Sequence, residues 1–327
     1  MDFLSADTLP WLHGSQQRVR AALSARRLPH ALLLLSVPGL GAEQLANWIA
    51  ALTLCESDSL RPCGACASCH LLRADNHPDC YVVRIEEDAQ QIKVDQIRQL
   101  IESLSLSSYC GGYKVGIVEG AEALNANGAN AFLKTLEEPT DNTILIMVAK
   151  PSHRLPATVA SRCIRVQLRA PAGPEAIAWL EGRGEKRQNW DAALELAGGA
   201  PLLALELETL GVGALEKEMQ EHLRQMVAGE ADVTLLAAAW VKSGENLRLI
   251  WLENWITRRI HAYLGAATSL QSAEPVCLPA ALLKPKIRAL FELLDAAREL
   301  RRLAATGLNQ QLALEVLLLG GGAALAK

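Results

Sequence analysis

Over its first half the chain alternates short apolar runs with stretches of helical spacing. Ala31–Ser36 is an apolar run of strand length. Tyr81–Ile85, Lys114–Glu119, Thr143–Ala149 and Cys163–Leu168 read the same way. Helical patterns separate them. Ser15–Arg27 reads as an amphipathic helix broken at Pro29, and Gly41–Leu54 as another. Val94, Ile97, Leu100, Ile101 and Leu104 recur at helical spacing, as do Ala129, Phe132, Leu133 and Leu136 up to Pro139. Strands alternating with helices predict a mostly parallel α/β sheet.

Past Ala170-Pro171 no strand pattern returns. Residues 171–207 read as a small helical unit with a break at Gly198-Gly199-Ala200-Pro201, and long helices follow from about 208. Leu247, Ile250, Trp251 and Trp255 form one helical stripe; Ile287, Leu290, Phe291 and Leu294 form another. The tryptophans are expected to pack in a core rather than hold a ligand. Gly320–Lys327 reads as a frayed tail. The expected division is an α/β domain over 1–168, a small helical domain over 169–207 and an all-helical domain over 208–327.

Half of the 327 residues are hydrophobic, yet no apolar run reaches the roughly 18 residues that suggest a membrane span. Asp2 and Asp7 open the chain without a basic run, so no signal peptide and a cytoplasmic location are expected. A net charge of −4 argues against a stand-alone nucleic-acid binder, and aromatics at 4% leave little for a base-stacking platform.

The first apolar run leads into Ser36-Val37-Pro38-Gly39-Leu40-Gly41-Ala42-Glu43 and then a helix. A working phosphate loop needs backbone N–H groups at a helix start, a lysine for the β/γ-phosphate oxygens and a hydroxyl for magnesium. Gly39 and Gly41 keep the turn. Ala42 stands where the lysine belongs and Glu43 where the hydroxyl belongs, and a carboxylate there repels a triphosphate. An ordinary strand–turn–helix reads the same way on this segment alone. The run Lys114–Gly120 occupies the place of a Walker B strand. Glu119 can stand for its first acid, while Gly120 leaves the second, water-polarising acid missing.

Cys55, Cys63, Cys66 and Cys69 supply four thiols, two of the steps being C-x2-C. Outside a disulfide setting such a cluster reads as metal or catalysis, and four thiolates with no open position describe structural zinc. A redox pair or an iron–sulfur site are the alternatives. His70, His77 and Cys80 lie close enough in sequence to replace one ligand, although a satisfied surface side chain is the plainer reading of each histidine. Cys110, Cys163 and Cys277 read as buried small hydrophobes.

The segment Asn130-Ala131-Phe132-Leu133-Lys134-Thr135-Leu136-Glu137-Glu138-Pro139, followed by Ser161-Arg162-Cys163, resembles the ordered motifs of bacterial clamp-loader subunits, an AAA+ family. The four-cysteine module after the first phosphate-loop helix matches too. The resemblance spans roughly 20–205, and reaches weakly to Gly307-Leu308-Asn309 with Leu312, Leu314 and Leu317, which look like a last collar helix. It implies a RecA-like AAA+ domain with a zinc module, a helical lid and a helical collar.

Two kinds of clamp-loader subunit carry these motifs. Ala42, Glu43 and Gly120, with Ala149-Lys150 in place of a sensor threonine, are similar to the kind without a working ATP site. The resemblance therefore implies no ATP bound by this chain, no enzymatic activity of its own, and a place as an accessory subunit of a replicative DNA polymerase. It implies zinc on the four cysteines. It implies a hetero-pentamer with motor subunits (gamma or tau) and a delta subunit, loading a sliding clamp, contacted only indirectly, onto primed DNA. Arg162 is expected to complete a neighbour's ATP site as an arginine finger, Ser161 and Cys163 flanking it. Arg98 and Lys134 are candidates for phosphate-backbone contact. An ATPase with an unconventional loop and a zinc-stabilised adaptor outside replication are the competing readings.

Overall fold

The structure is a computed structural model; it describes residues 8–325 except 59–60, 87–88, 90, 152–154, 184–189, 210, 243–244, 270–279 and 304–308. The chain divides into two compact units. One is Met1–Ala172 with Ala200–Leu203, the other Gly173–Gly199 with Ala204–Lys327.

The first unit is the α/β part. A 3-10 turn, Pro10–Leu12, leads into α1 (His13–Ser24), then β1 (Ala31–Leu35), α2 (Ala42–Leu54), α3 (Ala67–Arg73), β2 (Cys80–Val83), α4 (Val94–Ser105), β3 (Lys114–Glu119), α5 (Ala126–Glu137), β4 (Thr143–Ala149), α6 (Ala157–Ala160) and β5 (Ile164–Gln167). The strands form one sheet in the order β2-β3-β4-β1-β5, and every pairing is parallel. β1 and β4 lie inside it. Their near-continuous apolar composition follows from burial on both faces. The sheet edge β5 is mostly exposed.

α2 is buried along most of its length, and its Trp48 is fully enclosed. One face of the sheet carries α4 and α5, whose Ile97, Leu100, Leu104, Phe132 and Leu136 join Val118, Leu145 and Met147 in a single core. Two polar side chains pin the connections. Lys114, buried at the start of β3, donates from Nζ to Leu104 O (2.5 Å), Leu106 O (2.7 Å) and Thr140 Oγ1 (3.0 Å). It thereby satisfies carbonyls at the end of α4. Buried Asp79 accepts from the N–H groups of Tyr109 (2.7 Å) and Cys110 (2.8 Å) and from Ser108 Oγ (3.0 Å).

The second unit is helical: α7 (Gly173–Glu181), α8 (Trp190–Leu196), most of α9 (Pro201–Thr209), α10 (Val212–Ala228), α11 (Val233–Lys242), α12 (Glu245–Ser269), α13 (Ala280–Leu303) and α14 (Gln310–Leu325). Trp251 is buried in its core and stacks on Trp255 at 6.4 Å between centroids. Two buried charges are paired across helices: Arg248 with Glu218 at 2.7 Å and Glu253 with Arg301 at 2.7 Å. Such pairing is what a charge in a core requires.

Two expectations change here. Phe291 is 45% exposed, while Leu290 and Leu294 of the same stripe are buried. Gly320–Leu325 continue α14 instead of fraying. The small Gly321 lets the helix approach Leu293, whose Cδ1 lies 3.4 Å from where a Cβ would sit. Gly307 and Leu308 lie outside the described residues, as does Cys277. No helix among the described residues is long and apolar enough to cross a membrane.

Candidate functional site

Register brings the residues singled out from the sequence to one edge of the sheet. Leu35 at the end of β1 pairs with Ala149 at the end of β4, and Glu119 at the end of β3 pairs with Val148. Ser36 N–H donates to Ala149 O at 3.0 Å. Carboxyl ends of parallel strands are where α/β folds bind ligands. The loop after β1 has the shape of a phosphate cradle: Gly39 and Gly41 take φ of +82° and +86°, and Gly41 caps α2.

The surroundings of that loop are apolar. Leu9 and Leu12 are buried, and a Cβ on Gly41 would lie 2.7 Å from Leu9 Cδ1 and 3.3 Å from Leu12 Cδ1. Trp11 Nε1 donates to Leu40 O at 2.9 Å. From the far end of this unit, Leu202 N–H donates to Gly39 O at 3.1 Å, and Leu203 Cβ lies 2.4 Å from where a Gly39 Cβ would be. Ala42 is 2% exposed, while Glu43 points to solvent. This lining does not fit a triphosphate: hydrocarbon from Leu9, Leu12 and Leu203 covers the glycines of the loop.

The neighbouring strand ends carry contacts of their own. Glu119 accepts two hydrogen bonds from Arg84, at 2.7 and 3.2 Å, and is occupied as an ion-pair partner. Gly120 takes φ +75° to start the 3-10 turn Ala121–Ala123, a left-handed backbone state that glycine adopts most readily. Ala149 is buried, and the Lys150 N–H donates to Glu122 Oε2 at 3.2 Å.

The Ser161-Arg162-Cys163 turn follows α6 and is built differently. Cys163 is buried, its Sγ directed at Val159 O (3.3 Å), and burial pushes its thiol up to about 11. Ser161 Oγ donates to Thr158 O at 3.2 Å. With its neighbours anchored, Arg162 is turned outward, its side chain 34% exposed. Nε donates to Glu137 Oε1 at 2.8 Å, Nη2 reaches the same oxygen, and Nη1 donates to Thr158 O at 2.8 Å. Glu137 was not singled out from the sequence as a site residue; its place in the long α5 motif was the available signal.

The four cysteines converge between the end of α2 and the start of α3. Their sulfurs lie within 4.8 Å of one another, with Cys55–Cys66 at 3.9 Å and Cys63–Cys69 at 4.0 Å. A tetrahedral ion with metal–sulfur bonds of about 2.3 Å needs sulfur–sulfur edges of about 3.8 Å. The cluster fits a metal such as zinc. Backbone N–H groups of Ala65 and Cys66 hold the Cys63 thiol down at about 6, while burial pushes Cys55 and Cys69 up. The nearby alternatives lie outside the four-sulfur group. His77 is buried rather than at the surface: Nε2 meets Ser68 Oγ at 2.6 Å, Nδ1 accepts from Asp79 N–H at 3.1 Å, and burial lowers its pKa. His70 is exposed and Cys80 is half-buried in β2. Cys110, expected in a core, is exposed; its N–H donates to Asp79 Oδ2 at 2.8 Å, and its thiol meets the same carboxylate.

A parallel sheet in this order, with a strand–glycine loop–helix at β1, is the AAA+ fold. Comparison with known proteins narrows the class. A family model described as "DNA polymerase III, delta subunit" matches residues 13–172. DNA polymerase III subunit delta' of Pseudomonas aeruginosa is 34% identical over 76% of this chain and 76% of its own. The Escherichia coli protein of the same name is 32% identical over 95% of this chain and 94% of its own. The chain belongs to the DNA polymerase III subunit delta' family.

Proposed function

We propose that this chain is the non-hydrolysing subunit of a clamp loader, binding no ATP itself and lending Arg162 to the ATP site of a neighbouring motor subunit. The observation that carries the reading is a contrast within one unit. The phosphate loop is packed over by Leu9, Leu12 and Leu203, while Arg162 remains outward-facing on a turn anchored by Cys163. A heterologous ring interface needs a correctly shaped neighbour, and that neighbour need not be a second enzyme.

In this reading the AAA+ part (1–168) supplies Arg162, residues 169–207 act as a lid-like unit, and 208–327 join the partner subunits' collar. Arg162 neutralises charge that develops on the transferred phosphoryl group, an effect worth on the order of 10³–10⁵ in rate when given in trans. Zinc on Cys55, Cys63, Cys66 and Cys69 is structural, since four thiolates leave no open position for substrate. Arg98 and Lys134, both exposed on α4 and α5, are available for salt-sensitive phosphate contact with primed DNA inside the assembly.

Co-purification with motor and delta subunits tests the assignment. A stable complex is expected; failure to form one ends the clamp-loader reading. Equilibrium binding of labelled Mg-ATP to the isolated chain tests the silent site. No saturable binding is expected, and tight binding abolished by Gly41→Ala would replace this reading with that of an active ATPase.

A further inference from the structure

The chain carries a net charge of −4, yet one cavity in the first unit is lined, among the described residues, by four arginines and no carboxylate. It has a volume of about 790 Å³ and lies between α1 and the sheet edge β5. Arg18 comes from α1, Arg27 from the turn after it, Arg165 from β5 and Arg169 from just beyond. All four are exposed; Arg18 Nη2 donates to Ser15 Oγ at 3.1 Å, and among the described residues none of the four pairs with an acid. Trp11 and Leu32 add apolar wall.

The strand that forms one side has unspent backbone. Among the described residues β5 pairs with β1 alone. Leu168 N–H donates to Leu35 O at 2.9 Å, so residues in phase with Leu168 direct their backbone groups toward β1. Arg165 and Gln167, out of phase by one, direct theirs to the open side. Ile164 is 56% exposed. A single charge on the strand would explain protection of a sheet edge against chance pairing. It does not explain why Arg18 and Arg27 converge on the same cavity from the other side.

We propose that this cleft is a docking site for an extended acidic peptide segment of a partner protein, which adds alongside β5 as a sixth strand. The main chain of the segment satisfies the outward N–H and C=O groups of Arg165 and Gln167. Its carboxylates meet the four guanidinium groups, and alternate side chains fall on the apolar wall. A nucleic-acid strand matches the charge but offers nothing to the strand edge, so the peptide is the better fit.

The test uses the full chain and a fluorescent peptide that alternates glutamate with valine. Fluorescence anisotropy should show saturable, salt-sensitive binding, weakened at least about tenfold by Arg165→Glu and by Arg18→Glu. N-methylation of alternate peptide nitrogens should abolish it, and a lysine–valine peptide should not bind. Circular dichroism confirms that each variant keeps its fold. Absence of saturable binding overturns the proposal, as does binding that survives both substitutions or N-methylation. Tighter binding of a single-stranded oligonucleotide, lost in the same variants, overturns it in favour of a nucleic-acid groove.

Discussion

Arg162 and Glu137 form an ion pair within the chain: Nε donates to Oε1 at 2.8 Å, and Nη2 reaches the same oxygen. The pair joins the last residue of α5 to the turn after α6, and so links two motifs that stand 25 residues apart. It faces solvent on both sides. An arginine that serves a neighbour must leave this partner or share itself with it. Exposed pairs are worth about 0–1 kcal/mol, so release slows Arg162 by no more than about fivefold. Glu137→Gln should therefore leave ATP turnover by the reconstituted complex unchanged or raise it by up to about that factor. Steady-state hydrolysis at matched assembly is the measurement. A fall in turnover would make Glu137 a positioning partner instead of a competitor.

Restoring the missing side chains should not restore the site. Ala42→Lys with Glu43→Thr and Gly120→Asp is expected to bind Mg-ATP no better than the parent, because Leu9, Leu12 and Leu203 still cover the loop. Placing lysine at the buried position 42 should also destabilise the fold by several kcal/mol unless the chain rearranges. Calorimetric titration and thermal unfolding read both effects; micromolar ATP binding would refute the packed-loop account.

Gly41→Ala should destabilise by roughly 2–5 kcal/mol, combining a left-handed backbone with crowding against Leu9 Cδ1 at 2.7 Å. Denaturant midpoints measure it. A change below about 0.5 kcal/mol would mean that the loop is looser than the packing implies.

Elemental analysis of reduced protein should find about one zinc per chain, lost in Cys63→Ser and in Cys66→Ser. Chelation should lower the melting temperature of the parent and leave both variants unmoved. Iron in place of zinc, or a metal-free reduced protein with full stability, would remove the structural-zinc assignment.

Asp79 gives a pH signature. Burial alone would raise its pKa, but the N–H groups of Cys110 and Tyr109 and the Ser108 hydroxyl outweigh that and hold it below the ordinary carboxylate value. A depressed folded pKa contributes stability above the unfolded value of about 3.9, and that stability is lost as pH falls through the folded one. Asp79→Asn should cost roughly 1–3 kcal/mol at pH 7. The gap to the parent should close as pH drops below about 4, which denaturation across that range would show. A gap independent of pH would mean that the charge contributes nothing.

Local signals carried far in this sequence, and long-range ones did not. The five strands were legible because buried parallel strands need apolar runs, and the departures from a working phosphate loop were legible in Ala42, Glu43 and Gly120. What covers that site was not. Leu203 lies over 160 residues from Gly39, and no periodicity marks it as a plug. Cys110 looked like a core residue from its type alone, whereas it sits exposed in a turn bonded to Asp79, an acceptor 31 residues away. His77 looked like a surface group until Ser68 and the Asp79 N–H were found on its ring. The tail from Gly320 looked frayed because chain ends commonly are, but packing of Gly321 against Leu293 favours continuation.

The claim that this chain has given up its own ATP site while serving another's is tested most directly by one substitution. Arg162→Ala, assembled with motor and delta subunits, should give a complex of normal composition and stability whose DNA-stimulated ATP hydrolysis falls severalfold. Full hydrolysis by a fully assembled Arg162→Ala complex would contradict it.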